Sequence, residues 1–159
     1  MYCEVLTDDA AYSAVEHIKP KSVFPELVLV WENLGLVCPK CNTNKRDYWT
    51  EDGSLQILDP YRDDVPAHLD FLGPLVLASN ESSRGVNTIR KLKLDTREDL
   101  VISKMKRIQE LESRIRVWNS ESRAEFKKLF AEDVREAFAP AREFSATLRS
   151  FAESRGFPV

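Results

Sequence analysis

Apolar and polar positions change rhythm along this chain near residue 84. Beyond it, Val101, Met105, Ile108, Leu111, Ile115 and Trp118 return at three- and four-residue steps, which predicts one long amphipathic helix. Asp95 with Glu98 reads as its N-cap and capping box. Ser122 with Glu125 repeats that box ahead of Phe126, Leu129, Phe130, Val134 and Phe138, and Pro140 precedes a third stripe, Phe144, Leu148 and Phe151, stopped at Gly156. Helical spacing accounts for these aromatic residues as core or partner-packing faces. Before residue 84 the apolar runs are short. Thr7-Asp8-Asp9 signals a turn or knuckle, strands are expected over 14–18 and 34–37, and a short helix over 42–48. Between the strands Pro20 and Pro25 bracket a loop in which Phe24, Leu27, Leu29 and Trp31 are expected to make apolar contacts. Asp59-Pro60, Asp63-Asp64, Pro66 and Gly73-Pro74 then punctuate strand-like runs at 55–58 and 75–78, and 80–85 reads as a surface loop. The expected class is α+β, with residues 1–83 forming a strand-and-turn region and 84–159 a set of about three helices.

Composition narrows the setting. With 159 residues, 43% hydrophobic and 31% charged, the chain can bury a core of its own. It has neither a run of membrane-spanning length nor a charged-then-apolar leader, so a cytoplasmic protein is expected. Cysteine usage suits a reducing compartment. Of three cysteines, two form Cys38-x-x-Cys41, the turn that presents paired thiolates to a metal; Cys3 supplies a third from the N-terminus. The net charge of -3 excludes strong nonspecific attraction to nucleic acid over the whole surface, and attention moves to local charge. Residues 1–83 carry 6 Lys and Arg against 14 Asp and Glu, residues 84–128 carry 13 against 7, and the remainder 4 against 5. The middle block is a candidate DNA or partner surface, although a solvated helix face has the same composition.

The chemistry-bearing residues lie in one constellation: Glu16-His17, then Asn33, then Cys38-x-x-Cys41 followed at once by Asn42 and three residues later by Lys45. A histidine that titrates near neutrality can take a proton from water, and carboxylate and amide oxygens can hold a hard divalent cation. This spacing resembles the HNH endonucleases, the ββα-metal nucleases. Tyr2-Cys3-Glu4, Glu16-His17-Ile18-Lys19-Pro20-Lys21, Trp31-x-Asn33-Leu34, Leu58-Asp59-Pro60 and Pro66-Ala67-His68-Leu69 are similar to the HNH proteins of Septu-type and retron-linked anti-phage systems. The resemblance is strong over the first half and loose over the helices.

It implies a ββα-metal core with a zinc-knuckle-like cysteine site and metal-dependent hydrolysis of DNA, in partnership with an ATPase. His17, Asn33 and Asn42 match the three motif positions, with Asn42 standing where histidine is commoner. His17 is then the base, and Glu16 with Asn42 holds Mg²⁺ or Mn²⁺. Asn33 positions the loop, because an amide bonds backbone groups well and is a poor base. Lys19, Lys21, Lys45 and Arg46 are the expected nucleic-acid contacts; Asp59 and His68 read either as packing or hydrogen bonding within the Pro-rich wrap or as support near the site. Adjacent strand residues point to opposite faces, so Glu16 and His17 serve one phosphate only if the strand ends or bulges there. A closed zinc site needs four ligands. Relatives carry a further cysteine that would fall just ahead of Met1, so the native frame is expected to begin upstream; otherwise Glu4, Asp8, water or nothing fills the fourth position. The alternative to an enzyme is a zinc-knuckle module that binds DNA or assembles without cleaving.

Overall fold

The computed structural model describes residues 1–6, 13–140 and 142–159. The Thr7-Asp8-Asp9 turn lies outside them. Two compact units emerge: residues 1–70 with 76–96, and residues 71–75 with 97–159. The first unit therefore extends past the change of rhythm at residue 84.

In the first unit, β1 (Ala14–His17) pairs antiparallel with β2 (Leu34–Val37), in a register that sets Glu16 opposite Gly35 and His17 opposite Leu34. Gly35 lies in close approach: a Cβ there would meet the Met1 sulfur at 2.5 Å and the Tyr61 ring at 3.1 Å, so the flexible Met1 side chain would have to shift. Helix α1 (Pro39–Lys45) begins three residues before the expected 42–48. Cys38 is its N-cap, with Sγ accepting from the Cys41 N–H, and Pro39 occupies the first helical position, where a missing N–H costs nothing.

The expected strand at 55–58 does not form. Asp52 caps a one-turn helix over Gly53–Leu55 through the Ser54 N–H, and the Leu58 N–H is taken by Thr88 Oγ1 at 3.0 Å. The expected loop at 80–85 is also shorter, since Ser82 caps α2 (Ser83–Leu92) by accepting from the Gly85 N–H. Asn44 reaches the Leu92 carbonyl and Asn87 reaches Tyr48 Oη, while Ile89, Leu92 and Leu94 are buried, so α2 is knitted into the first unit. A hairpin of β3 (Leu69–Leu72) and β4 (Leu75–Ala78) precedes it.

The second unit packs α3 (Glu98–Ser120) against α4 (Ala124–Glu136) and α5 (Ser145–Ser154). Leu100, Ile108, Leu111, Ile115, Val134, Phe138, Phe144, Leu148 and Phe157 form its interior. The residues flanking α3 and α4 differ from the expected caps: Arg97 and Arg123 stand at the N-caps without side-chain cap bonds, so neither the Asp95 nor the Ser122 box is made. The expected apolar stripe is also partly outside, with Phe126 and Leu129 exposed, as is Met105. No described helix is long and apolar enough to cross a membrane.

Candidate active site and metal centre

His17 closes β1. Just past it the Ile18 N–H donates to the Asn33 carbonyl at 2.9 Å, and the imidazole Nε2 lies 3.1 Å from the Val28 carbonyl oxygen. A carbonyl can only accept, so Nε2 carries the hydrogen and the neutral ring keeps its lone pair on Nδ1. The segment supplying Val28 is held by Asn33, which is buried and fully engaged: Oδ1 accepts from the Lys19 N–H at 2.8 Å, and Nδ2 donates to the Lys19 and Leu27 carbonyls at 3.0 and 3.2 Å. Two apolar residues of this segment do not pack as expected: Leu29 is 89% and Trp31 82% exposed.

Glu16 faces the other way. It is 3% exposed and meets the ammonium of Lys45, also 3% exposed, at 2.5 Å; Lys45 Nζ donates in addition to the His17 carbonyl at 2.8 Å. Lys45, expected at a phosphate, is instead the internal partner of Glu16, because a carboxylate buried between β1 and α1 needs a counter-charge. Burial pushes the Glu16 carboxyl above its ordinary range, against the pull of Lys45. Asn42 is half-buried one helical turn before Lys45 and so shares its side of α1. Lys21 and Arg46 are exposed, while Lys19 places its ammonium 5.3 Å from the ring centres of both Phe24 and Trp49.

Cys3, Cys38 and Cys41 come together. All three are buried free thiols, and their sulfurs lie within 4.8 Å of one another. Hydrogen bonding among them, from Cys3 first, and then burial push the Cys41 thiol far up. Tetrahedral zinc at a Zn–S length of about 2.3 Å sets its sulfurs about 3.8 Å apart, so the trio has the spacing of three ligands. Beside it the Tyr2 hydroxyl is buried with no hydrogen-bond partner among the described residues.

The two candidate supporting residues make local bonds of their own. His68 Nδ1 is 2.6 Å from Ser82 Oγ, at the cap of α2, and its carbonyl accepts from the Ser79 N–H. Asp59 Oδ1 accepts from the Tyr61 N–H at 2.9 Å. The sequence reading missed the Glu16–Lys45 pair and the residues Tyr2, Trp49, Gln56 and Arg62, which reach this neighbourhood from dispersed positions. Only Tyr2, next to Cys3, had a local signal.

Comparison with known proteins agrees with this geometry. Residues 1–47 match the family model for HNH endonuclease. A curated relative, the Septu protein PtuB of Bacillus thuringiensis, is 31% identical over 107 residues, covering 66% of this chain and 40% of the relative. The chain thus spans 40% of that relative's length. No solved structure matches it. With the ββα arrangement of β1, β2 and α1 around His17, these matches support the HNH endonuclease family, of Septu type.

Proposed function

We propose that this chain hydrolyses DNA phosphodiester bonds with a divalent cation, as an anti-phage effector working with an ATPase subunit. The observation that carries the reading is the tethering of His17 Nε2 to the Val28 carbonyl, which leaves Nδ1 to take a proton from the attacking water. Asn33 keeps that base in place by fixing the loop after it at Lys19 and at Leu27, next to Val28. Glu16 and Asn42 offer hard oxygen donors of the kind Mg²⁺ and Mn²⁺ select; Glu16, turned from His17 and engaged by Lys45, would have to exchange that ammonium for the cation. A bound cation would supply charge stabilisation at the phosphate and at the departing 3′ oxygen. Exposed Lys21 and Arg46 are the cations free to meet the DNA backbone.

Cys3, Cys38 and Cys41 hold a structural zinc in this reading. The helical unit serves the partner protein rather than DNA. Its arginines are largely matched by acids of the same unit, Arg114 with Asp133 and Arg116 with Glu112 among them, and it exposes Phe126 and Leu129.

Plasmid cleavage with Mg²⁺ or Mn²⁺, with and without the ATPase, tests the proposal. His17→Ala is expected to lower the rate about 10² to 10⁴-fold, with the fold and zinc content unchanged. Undiminished cleavage by the pure variant would remove His17 from the mechanism. A non-cleaving DNA-binding or assembly module is the second reading, favoured by the engagement of Glu16 with Lys45. It predicts DNA retention in a gel shift and no cleavage by the unsubstituted protein under any metal.

A further inference from the structure

Hydrolysis leaves unused a cleft of about 370 Å³ in the first unit, lined by residues that begin immediately after His17 with Ile18 and Lys19. We propose that this cleft takes one unpaired nucleotide of the DNA substrate and prefers a guanine base; the inference rests on the nuclease reading above and assigns it a base-reading site.

Size sets the first limit. Small-ligand pockets begin at about 300 Å³, so this cleft holds a single nucleotide and no duplex, and the base must arrive unpaired or flipped out. Charge sets the second. Lys19, Arg62 and Arg84 are matched in the lining by Glu32, Asp59 and Asp63, a balance that suits a neutral base better than a polyphosphate.

The walls then supply base chemistry. Trp49 is half-buried and held in one plane: Phe24 packs edge-on with ring centres 5.1 Å apart, and the indole N–H donates to Glu51 at 3.0 Å. A fixed indole is a stacking platform for any base. Selectivity comes from Asp59, a buried carboxylate whose Oδ1 accepts from the Tyr61 N–H through one lone pair and keeps the other, while among the described residues Oδ2 is met only by Arg62 Nε, at 3.8 Å. An ionised carboxylate only accepts hydrogen bonds. Guanine alone presents two adjacent donors, N1–H and the N2 amino group. Adenine and cytosine set one amino group beside an acceptor, and thymine sets one N–H between two carbonyls. Arg62, with its side chain 60% exposed at the mouth, can meet the phosphate of the bound nucleotide. Arg84 is spent on Asp63 at 2.5 Å and stiffens the far wall.

Fluorescence anisotropy of labelled dT7, with its central nucleotide replaced in turn by dG, dA or dC, tests this on His17→Ala protein without added Mg²⁺ or Mn²⁺. The dG strand is expected to bind about tenfold tighter than the other three. Asp59→Asn keeps an oxygen for the Tyr61 N–H and should level the four affinities. Trp49→Leu should weaken all four fivefold or more, which gives a readout independent of Asp59 should Asp59→Asn fold poorly. Four equal affinities, a dG preference that survives Asp59→Asn, or unchanged binding by Trp49→Leu would each overturn the proposal. Plasmid cleavage by the unsubstituted protein separates the two readings: cleavage without base preference sinks only the cleft, and base preference without cleavage sinks only hydrolysis.

Discussion

The two units are stabilised in different ways. Within the first, polar and sulfur groups share the interior with apolar residues such as Val37, Leu58, Ile89 and Leu92: Glu16 with Lys45, Asn33, Asp59, Asn87 and Thr88, beside three buried thiols. Within the second, the interior is a run of Leu, Ile, Val, Ala and Phe; Lys104 and Thr147 are the buried polar exceptions among the described residues, and Lys104 lies 5.3 Å from the Phe71 ring centre. Apolar packing is tolerant of detail, whereas a buried polar network stabilises only when every member is satisfied. The first unit therefore depends on a few specific partners, among them Lys45, bonded to the His17 carbonyl, and Asn33, bonded to the loop that follows His17. The second can change its surface freely while its helical stripe persists.

Metal removal should break the contrast most sharply. Structural zinc contributes folding energy outright, and three thiols at ligand spacing bring Cys3 onto the turn that starts α1. A zinc chelator is expected to release about one zinc per chain and to abolish hydrogen-exchange protection in β1, β2 and α1, with α3 to α5 retaining theirs. Uniform loss across both units, or no zinc in the purified protein, would count against a metal holding the first unit.

Lys45→Met comes next. Removing one partner of a buried ion pair strands the other, at a cost of about 3 to 5 kcal/mol. Glu16 would then be an unpaired carboxylate, 3% exposed. The double change Glu16→Gln with Lys45→Met should recover most of the loss, since neither side chain is then charged. A single variant as stable as the parent in urea melts would show that the pair carries no structural weight.

Leu111→Ala probes the other interior. Leu111 is 1% exposed on α3, and truncating a buried leucine costs about 2 to 5 kcal/mol through lost transfer energy and the cavity left behind. The loss should appear in α3, α4 and α5, with DNA cleavage intact at temperatures where the helices remain folded. Equal destabilisation of the β1–β2 amides would erase the contrast between the units.

The same contrast decides what was legible in the sequence. Ile108, Leu111 and Ile115 announce their helix because three- and four-residue spacing is a local property, and the strands around His17 and at Leu34–Val37 stand between clear breakers. Period alone does not say which side of a stripe finds a neighbour, which is why Phe126 and Leu129 turned outward. Nor does a capping pair guarantee a cap: Arg97, without a cap bond, is the residue before α3. In the candidate site, the cysteine trio was legible from spacing. The pairing of Glu16 with Lys45 joins residues 29 apart and leaves no local trace. The start of α1 was readable in principle from Cys38-Pro39, a cap followed by proline at the first helical position.

The smallest expected effect sharpens the comparison through pH. Asp63, in the first unit, is a partly buried carboxylate; burial alone would raise its pKa, but the hydrogen bonds of Arg84 and the Asp59 N–H outweigh burial and hold it below the ordinary carboxylate range. A carboxylate whose pKa is depressed in the folded state favours folding at every pH above its unfolded value of about 3.9, and that contribution disappears as pH falls through the lower folded value. Acid should therefore loosen the contact between the Asp59–Asp63 turn and α2 within the first unit. Thermal melts of the protein and of Asp63→Asn, followed from pH 6 down to pH 2, should converge at the acid end and separate above about pH 4, with the variant the less stable. Curves that stay parallel across the whole range would mean that Arg84 and Asp63 contribute no pH-dependent stability.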